Sequence, residues 1–203
     1  MRKKIQGRTI RDRLRVSPTR HLYRGQGAEL RRSRDSQRSR VYRAEVVLSE
    51  RYGWRDLGFE GAVSMIRELE GSSWWQGAAE TDAQRIAATE YEVTVRRGSS
   101  RDRTATARPE VWELKIPDHM AARWVVVHEM AHLIAPENGH GPDWVRVYLE
   151  GLVAAGLEEG AAILAASMRA GGVRGAKAPE HYRRLEVPDY PEDGRLFPLE
   201  LVG

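Results

Sequence analysis

Among its 203 residues the chain has no cysteine, which excludes disulfides, thiolate zinc sites and cysteine nucleophiles. Any metal site must therefore use His, Asp or Glu. No apolar run approaches the roughly 18 residues that a transmembrane helix needs, so the sequence predicts no membrane span and no membrane partner. The basic first residues lack an apolar block behind them, which predicts no secretory signal and a cytoplasmic location.

Positive charge is concentrated at the N-terminus. Residues 1–40 contain 14 Lys or Arg and three acidic residues, a net charge of +11, whereas the remainder carries −7. Residues 1–33 also hold few large apolar side chains to offset the ordering entropy, so we predict a basic, disordered extension before one domain at 34–203. The arginine-rich composition of this extension makes nucleic acid a candidate partner. The alternatives are a solvated tail without a partner and a start codon placed too far upstream.

Hydropathy patterning predicts an α+β domain. Helical periodicity predicts a helix that Ser36 caps and Gly53 ends, a short one that Gly71 ends, and another around residues 83–88. Alternation of apolar and polar residues then predicts three short antiparallel strands, the first two joined as a hairpin at 98–100. The predicted strands are Tyr91–Arg96, Arg103–Arg108 and Val111–Ile116.

Three more helices are predicted after the strands. Asp118 can cap a helix from His119 to Ala135, and the turn residues that follow end it. Pro142 suits the first turn of the next helix, and an alanine-rich helix follows around residues 158–169. The tail after it is punctuated by Gly and Pro, which predicts irregular structure.

The sequence His128-Glu129-Met130-Ala131-His132 is a HExxH motif within the first of these helices. Residues i and i+4 share a helix face, so the two histidines can bind one ion. Glu129 is offset by roughly 100° around the helix, which places its carboxylate beside the ion and not on it. Since catalytic zinc keeps three protein ligands and a water, we predict a zinc hydrolase in which Glu129 assists attack of that water on a carbonyl.

A third ligand is needed, and His140 is the best candidate. It follows His132 by eight residues, just after a turn that can fold the chain back under the helix. The competing ligands are Glu150, which lies on the next helix and is the main rival, together with Asp143 and Glu137. Zinc's preference for imidazole favours His140.

With HEMAH, the His140–Trp144 sequence HGPDW and the strand pattern before them, the chain resembles the minimal zincin metallopeptidases of the SprT-like and YgjP-like type. Residues 34–45, RDSQRSRVYRAE, also look like a small family of uncharacterised bacterial and phage metallohydrolases. The resemblance implies a zincin-like core: a short sheet, an active-site helix and flanking helices. It also implies His128, His132 and His140 as zinc ligands and Glu129 as the base.

A zincin-type peptidase would act on peptide or protein, and the strand before its active-site helix often pairs with the substrate. Val111–Ile116 occupies that place, either as an edge strand that accepts a peptide or as an ordinary half-buried strand. Tyr148, His119 and Tyr182 are candidate donors to the oxyanion of the transition state. The alternative functions are hydrolysis of a non-peptide amide or ester, and nucleic-acid or protein binding with a structural HExxH.

Overall fold

The computed structural model describes residues 35, 37–78, 82–135 and 139–177. The predicted basic extension, the Ser36 cap, Glu137 and Tyr182 lie outside these residues. Within them the chain is mostly helical with a small three-stranded sheet, so the α+β prediction is confirmed. None of the helices in the described ranges is long and apolar enough to cross a bilayer.

The N-terminal part of the domain is helical. The predicted first helix is present as two short helices that meet at Glu45, whose backbone is itself helical (φ −69°, ψ −13°). Asp35 caps the first of them, because its carboxylate accepts the backbone N–H groups of Gln37 and Arg38 at 3.3 and 3.0 Å. The helices before the sheet are α1 (Arg38–Ala44), α2 (Val46–Tyr52), α3 (Gly58–Glu70), α4 (Ser73–Gly77) and α5 (Asp82–Glu90).

The sheet contains β1 (Thr94–Arg97), β2 (Thr106–Arg108) and β3 (Glu113–Ile116) in the order β1-β3-β2. β3 pairs in parallel with β1 and antiparallel with β2. The prediction of a purely antiparallel sheet with a β1–β2 hairpin was therefore wrong. Of the two alternatives for Val111–Ile116, the structure excludes the edge strand, because β3 is central in the sheet.

The loop between β1 and β2 explains this topology. Gly98 does not form a tight hairpin turn; its N–H donates to the Ile116 carbonyl, and a Cβ there would lie 2.8 Å from Pro117. Farther along the loop, Asp102 accepts the Lys115 ammonium at 2.9 Å. The loop therefore crosses the end of β3, and β2 forms on its far side.

The helix that carries HExxH is α6 (Arg123–Ile134), and it is buried on almost every side. It begins later than predicted, because Asp118–Met120 forms a separate 3₁₀ turn. Asp56 accepts the Arg123 backbone N–H at 2.8 Å, so the cap comes from a distant loop. The run Trp124–Val127 is helical despite its β-branched residues, since tertiary burial outweighs their propensity.

Two helices complete the domain behind α6, α7 (Pro142–Ala154) and α8 (Glu158–Ala170). α7 lies so close to α6 that a Cβ at Gly151 would meet Val127 at 2.6 Å and the Trp74 ring at 2.5 Å. α8 packs against α7 and also against α1 and α2. This arrangement brings the N-terminal helices alongside α6.

Candidate metal centre

Three histidines meet at the inner face of α6. His128 and His132 lie one turn apart on α6, and His140 comes from the loop that precedes α7. Their ring centres are 4.8–5.2 Å apart, and one ligand nitrogen from each lies within 4.8 Å of the others. The structure therefore brings together the three residues predicted as ligands.

His128 is oriented by a buried carboxylate from the N-terminal helices. Its Nδ1 lies 2.6 Å from the Glu45 Oε1, and both side chains are almost fully buried. Since Nδ1 donates its proton to Glu45, the Nε2 of the neutral ring carries a lone pair that points into the site. Burial lowers the pKa of His128, but the negative charges of Glu45 and Glu129 outweigh this and raise it.

His140 is held in the same way by Asp35, whose Oδ2 lies 2.5 Å from the His140 Nδ1. Gly139 makes this approach feasible: its φ is +56°, and a Cβ there would lie 2.8 Å from the Asp35 carboxylate. The buried Gln37 fixes the loop by donating to the His140 carbonyl at 2.8 Å and accepting the Arg174 N–H at 2.6 Å. Burial and the charge of His128 lower the pKa of His140, although Asp35 raises it.

His132 is positioned by packing. Its ring stacks on Trp144 with centres 4.9 Å apart and planes 25° apart. Burial lowers the pKa of His132 well below its usual value, and the charges of His128 and His140 lower it further. The ring is therefore neutral at physiological pH, the state in which an imidazole binds metal.

The arrangement of ring nitrogens fits a cation. With both Nδ1 atoms donating to carboxylates, the Nε2 lone pairs of His128 and His140 face each other at 3.4 Å. Two such lone pairs repel unless a positive ion lies between them. Ligand nitrogens at zinc's bond length of about 2.0–2.1 Å in tetrahedral geometry are about 3.4 Å apart. The spacing of this pair therefore fits zinc, and the His132 nitrogen lies within 4.8 Å of both.

Glu129 lies beside this cluster, buried on α6 and facing the same cavity as the histidines. Burial raises the pKa of its carboxyl, and the negative charge of Glu45 raises it further. The charge of His128 and a hydrogen bond from the backbone N–H of Ala107 on β2 lower this pKa. The net direction is upward, which makes the carboxylate a stronger base than an exposed glutamate. Its position next to the histidines but outside their cluster suits a base and not a ligand.

The rival ligands lie elsewhere. Glu150 is 44% exposed and pairs with Arg146 at 3.3 Å, one turn earlier on α7. Asp143 is exposed in the first turn of the same helix. Glu137 lies outside the described residues. Among the residues that the structure describes, the group that could hold a metal ion is therefore the three histidines.

A cavity of about 580 Å³ opens onto the cluster. Residues of α1, α2 and α6 form one side of it, and residues 103–107 at the β2 edge form another. The predicted oxyanion donors do not line it: Tyr148 is buried beneath His128, and His119 is exposed outside the cavity. Tyr182 is not among the described residues.

The sequence interpretation gave no individual role to the two carboxylates that orient the ligand rings. Asp35 and Glu45 flank α1, and more than 80 residues of chain separate each of them from the histidine that it orients. A signal for them exists in retrospect. The signal is a spacing of three, four and three residues, which is typical of one face of a helix. The residues with this spacing are Asp35, Arg38, Tyr42 and Glu45.

Glu45→Gln is expected to weaken zinc binding by roughly 10–100-fold, the usual effect of losing a carboxylate behind a histidine ligand. The amide keeps the volume of the side chain but no longer supplies the charge that holds the His128 Nδ1–H. Competition with a chelating dye measures the dissociation constant. Glu50→Gln on the exposed face of α2 is the matched control; equal affinity of the two variants would contradict the assigned role.

No family model, curated protein or solved structure matches the chain. The likeness to SprT-like and YgjP-like zincins therefore stays a prediction that rests on HEMAH, HGPDW and the strand pattern. Any function proposed for the chain depends on the geometry of its own residues.

Proposed function

We propose that the protein is a zinc-dependent hydrolase with a zincin-type site, and that its substrates are peptides. One observation carries the proposal: three histidine nitrogens converge, two of them held by buried carboxylates, with Glu129 beside them in an open cavity. Three protein ligands with room for a fourth, non-protein ligand are typical of catalytic zinc, whereas structural zinc sites are closed by four.

Zinc is the metal that this donor set favours. Neutral imidazoles suit Zn²⁺, Cu²⁺, Ni²⁺ and Fe²⁺, whereas Mg²⁺ and Ca²⁺ prefer oxygen ligands. The three-histidine set lacks the carboxylate ligand that completes the facial triad of non-haem iron sites. Asp35 and Glu45 face the Nδ1 atoms on the outer side of the rings, so they act on the ligands and not on the ion.

When bound, zinc would lower the pKa of a water molecule and polarise a substrate carbonyl. Glu129 accepts the proton of the attacking water, and its burial strengthens it as a base. His128 keeps its ligand geometry because Glu45 holds its Nδ1. The proton held by Glu129 then passes to the leaving group, so the carboxylate is regenerated.

The free edge of β2 favours a peptide substrate. β2 pairs with β3 on one side only, and Thr106 and Ala107 of β2, with the segment 103–105 just before it, line the cavity on the other. The Ala107 backbone N–H bonds to Glu129, so it points away from β3 and towards the cavity. An extended chain can therefore add to β2 within reach of the histidines.

The wall opposite β2 suits apolar side chains. The described residues leave four large apolar side chains exposed, and three of these line the cavity. They are Tyr42, Val46 and Trp54, exposed by 40%, 37% and 47%. A substrate strand on β2 would place its own side chains against them.

The proposal is tested with the zinc-loaded protein, unfolded casein and p-nitrophenyl acetate. We expect zinc-dependent cleavage of casein into fragments that mass spectrometry identifies, with loss of activity after chelation. Turnover of the ester alone would favour the alternative, a hydrolase of non-peptide substrates. A protein that holds zinc but cleaves neither probe would reject the proposed hydrolase.

A further inference from the structure

Two residues of α1 that line the cavity have no role assigned so far. Asp35 and Glu45 orient ligand histidines, whereas Arg38 and Tyr42 lie between them on the same face and line the cavity. α1 and its two flanking residues therefore present two carboxylates and two hydrogen-bond donors to one site. The donors lie on the side where a substrate enters.

Tyr42 lies directly over the histidine cluster. Its ring centre is 5.2 Å from that of His140 and 5.9 Å from that of His128. The residue is 40% exposed and lines the cavity, so a bound molecule can contact it. Its phenol group carries an O–H that can donate a hydrogen bond.

Arg38 lies beside the Tyr42 ring. Its guanidinium carbon lies 5.3 Å from the centre of the Tyr42 ring, and its charge and hydrogen-bonding groups face the phenol. The positive group attracts the lone pairs of the phenol oxygen, which leaves the O–H directed away from Arg38. No described residue forms a salt bridge with the Arg38 side chain, so its charge is available to the site.

The other donors that line the cavity are less suitable. Trp124 already donates its indole N–H to the Gly53 carbonyl. Arg103, Thr104 and Thr106 lie along the β2 edge, where the substrate backbone is proposed to lie. Tyr42 is the described cavity donor whose ring contacts two of the three ligand histidines.

We infer that Tyr42 is a further catalytic residue, which donates a hydrogen bond to the oxyanion of the transition state, and that Arg38 is its positioning residue. The inference rests on the proposed function. As water oxygen bonds to the carbonyl carbon, the C=O π electrons move to oxygen and the water proton moves to Glu129. Tyr42 stabilises the new negative charge and keeps its own proton. The C–N bond then breaks while Glu129 returns its proton to the leaving nitrogen.

Tyr42→Phe tests the assignment, because it removes the hydroxyl alone. We expect kcat for casein-derived peptide cleavage to fall about 10²–10³-fold, the usual effect of losing one oxyanion donor, with KM and zinc content unchanged. Tyr52→Phe, a half-buried tyrosine at the end of α2, is the matched control and should keep wild-type kcat.

A second readout does not depend on turnover. The probe is the tripeptide Ala-Phe-Leu in which a phosphonate replaces the Phe-Leu amide and so mimics the charged tetrahedral state. Calorimetry should show a phosphonate Kd that rises in Tyr42→Phe by about the factor lost in kcat, while the Kd of Ala-Phe-Leu itself stays constant. An equal loss for both probes would mean that the hydroxyl binds the ground state, which would overturn the assignment.

Arg38→Met tests the positioning role through a double-mutant cycle. If Arg38 acts through the Tyr42 hydroxyl, the double variant should lose no more phosphonate affinity than Tyr42→Phe alone. Additive losses would mean that Arg38 acts independently, which would reject that part of the inference.

A wild-type protein that cleaves no probe would reject the proposed function together with this inference. If the wild type cleaves the peptides and Tyr42→Phe has the same kcat and the same phosphonate Kd, the role of Tyr42 is rejected while the proposed function stands.

Discussion

Glu129→Gln is expected to abolish hydrolysis while the protein still binds zinc. The amide has the shape of the carboxylate but cannot accept the proton of the attacking water, so kcat should fall at least 10²–10⁴-fold, the range for a lost general base. Because Glu129 lies outside the three-histidine cluster, the metal content should match that of the wild type. Elemental analysis and peptide cleavage, on the same preparation, measure both effects.

The control for this variant is Glu150→Gln, which makes the same chemical change on the exposed face of α7. It should retain full activity and full zinc content. Near-wild-type turnover by Glu129→Gln would reject the role of this carboxylate as the base. Loss of zinc from Glu129→Gln would instead indicate that Glu129 is a ligand, contrary to the geometry.

His128→Ala, His132→Ala and His140→Ala are each expected to lose stoichiometric zinc. Each removes one of the three nitrogens. The zinc affinity should therefore fall by more than roughly 100-fold, which is the upper end of the loss expected when only a carboxylate behind a ligand is removed. Metal analysis after dialysis, with a dye competition assay, quantifies the loss. The His140 variant is the most informative, since this ligand lies outside the HExxH motif.

His119→Ala provides the matched histidine control, because His119 is exposed and does not line the cavity. It should bind zinc as tightly as the wild type. Glu150→Ala adds a direct test of the rival ligand and should also keep the metal. Retention of one zinc per chain by His140→Ala would contradict the three-histidine site.

The helix of the metal motif was predictable because its information is local. The four-residue spacing of His128 and His132 aligns their side chains whenever the segment is helical, whatever surrounds it. The turn at Gly139 is also a local signal, and it favours a return of His140 towards α6. The choice between His140 and Glu150 was not local, since it depends on the path of the loop that Asp35 and Gln37 hold.

The order of the strands could not be predicted in the same way. Alternation identifies strands from their own residues, but it contains no information about which strand pairs with which. The sequence interpretation paired β1 with β2 because they are neighbours in the chain. The structure inserts β3 between them, because the loop that holds Asp102 crosses over the end of β3.

By itself, then, the sequence determined which residues can bind a metal, because imidazole chemistry and helical spacing are properties of short segments. Only the tertiary structure decided which partners surround them. It placed Asp35 and Glu45 behind two of the ligand rings and Tyr42 above them, although α1 precedes α6 by some 80 residues. Contacts over such separations arise from packing of the whole core, in which α8 supports α1 and α2 against the rest of the domain.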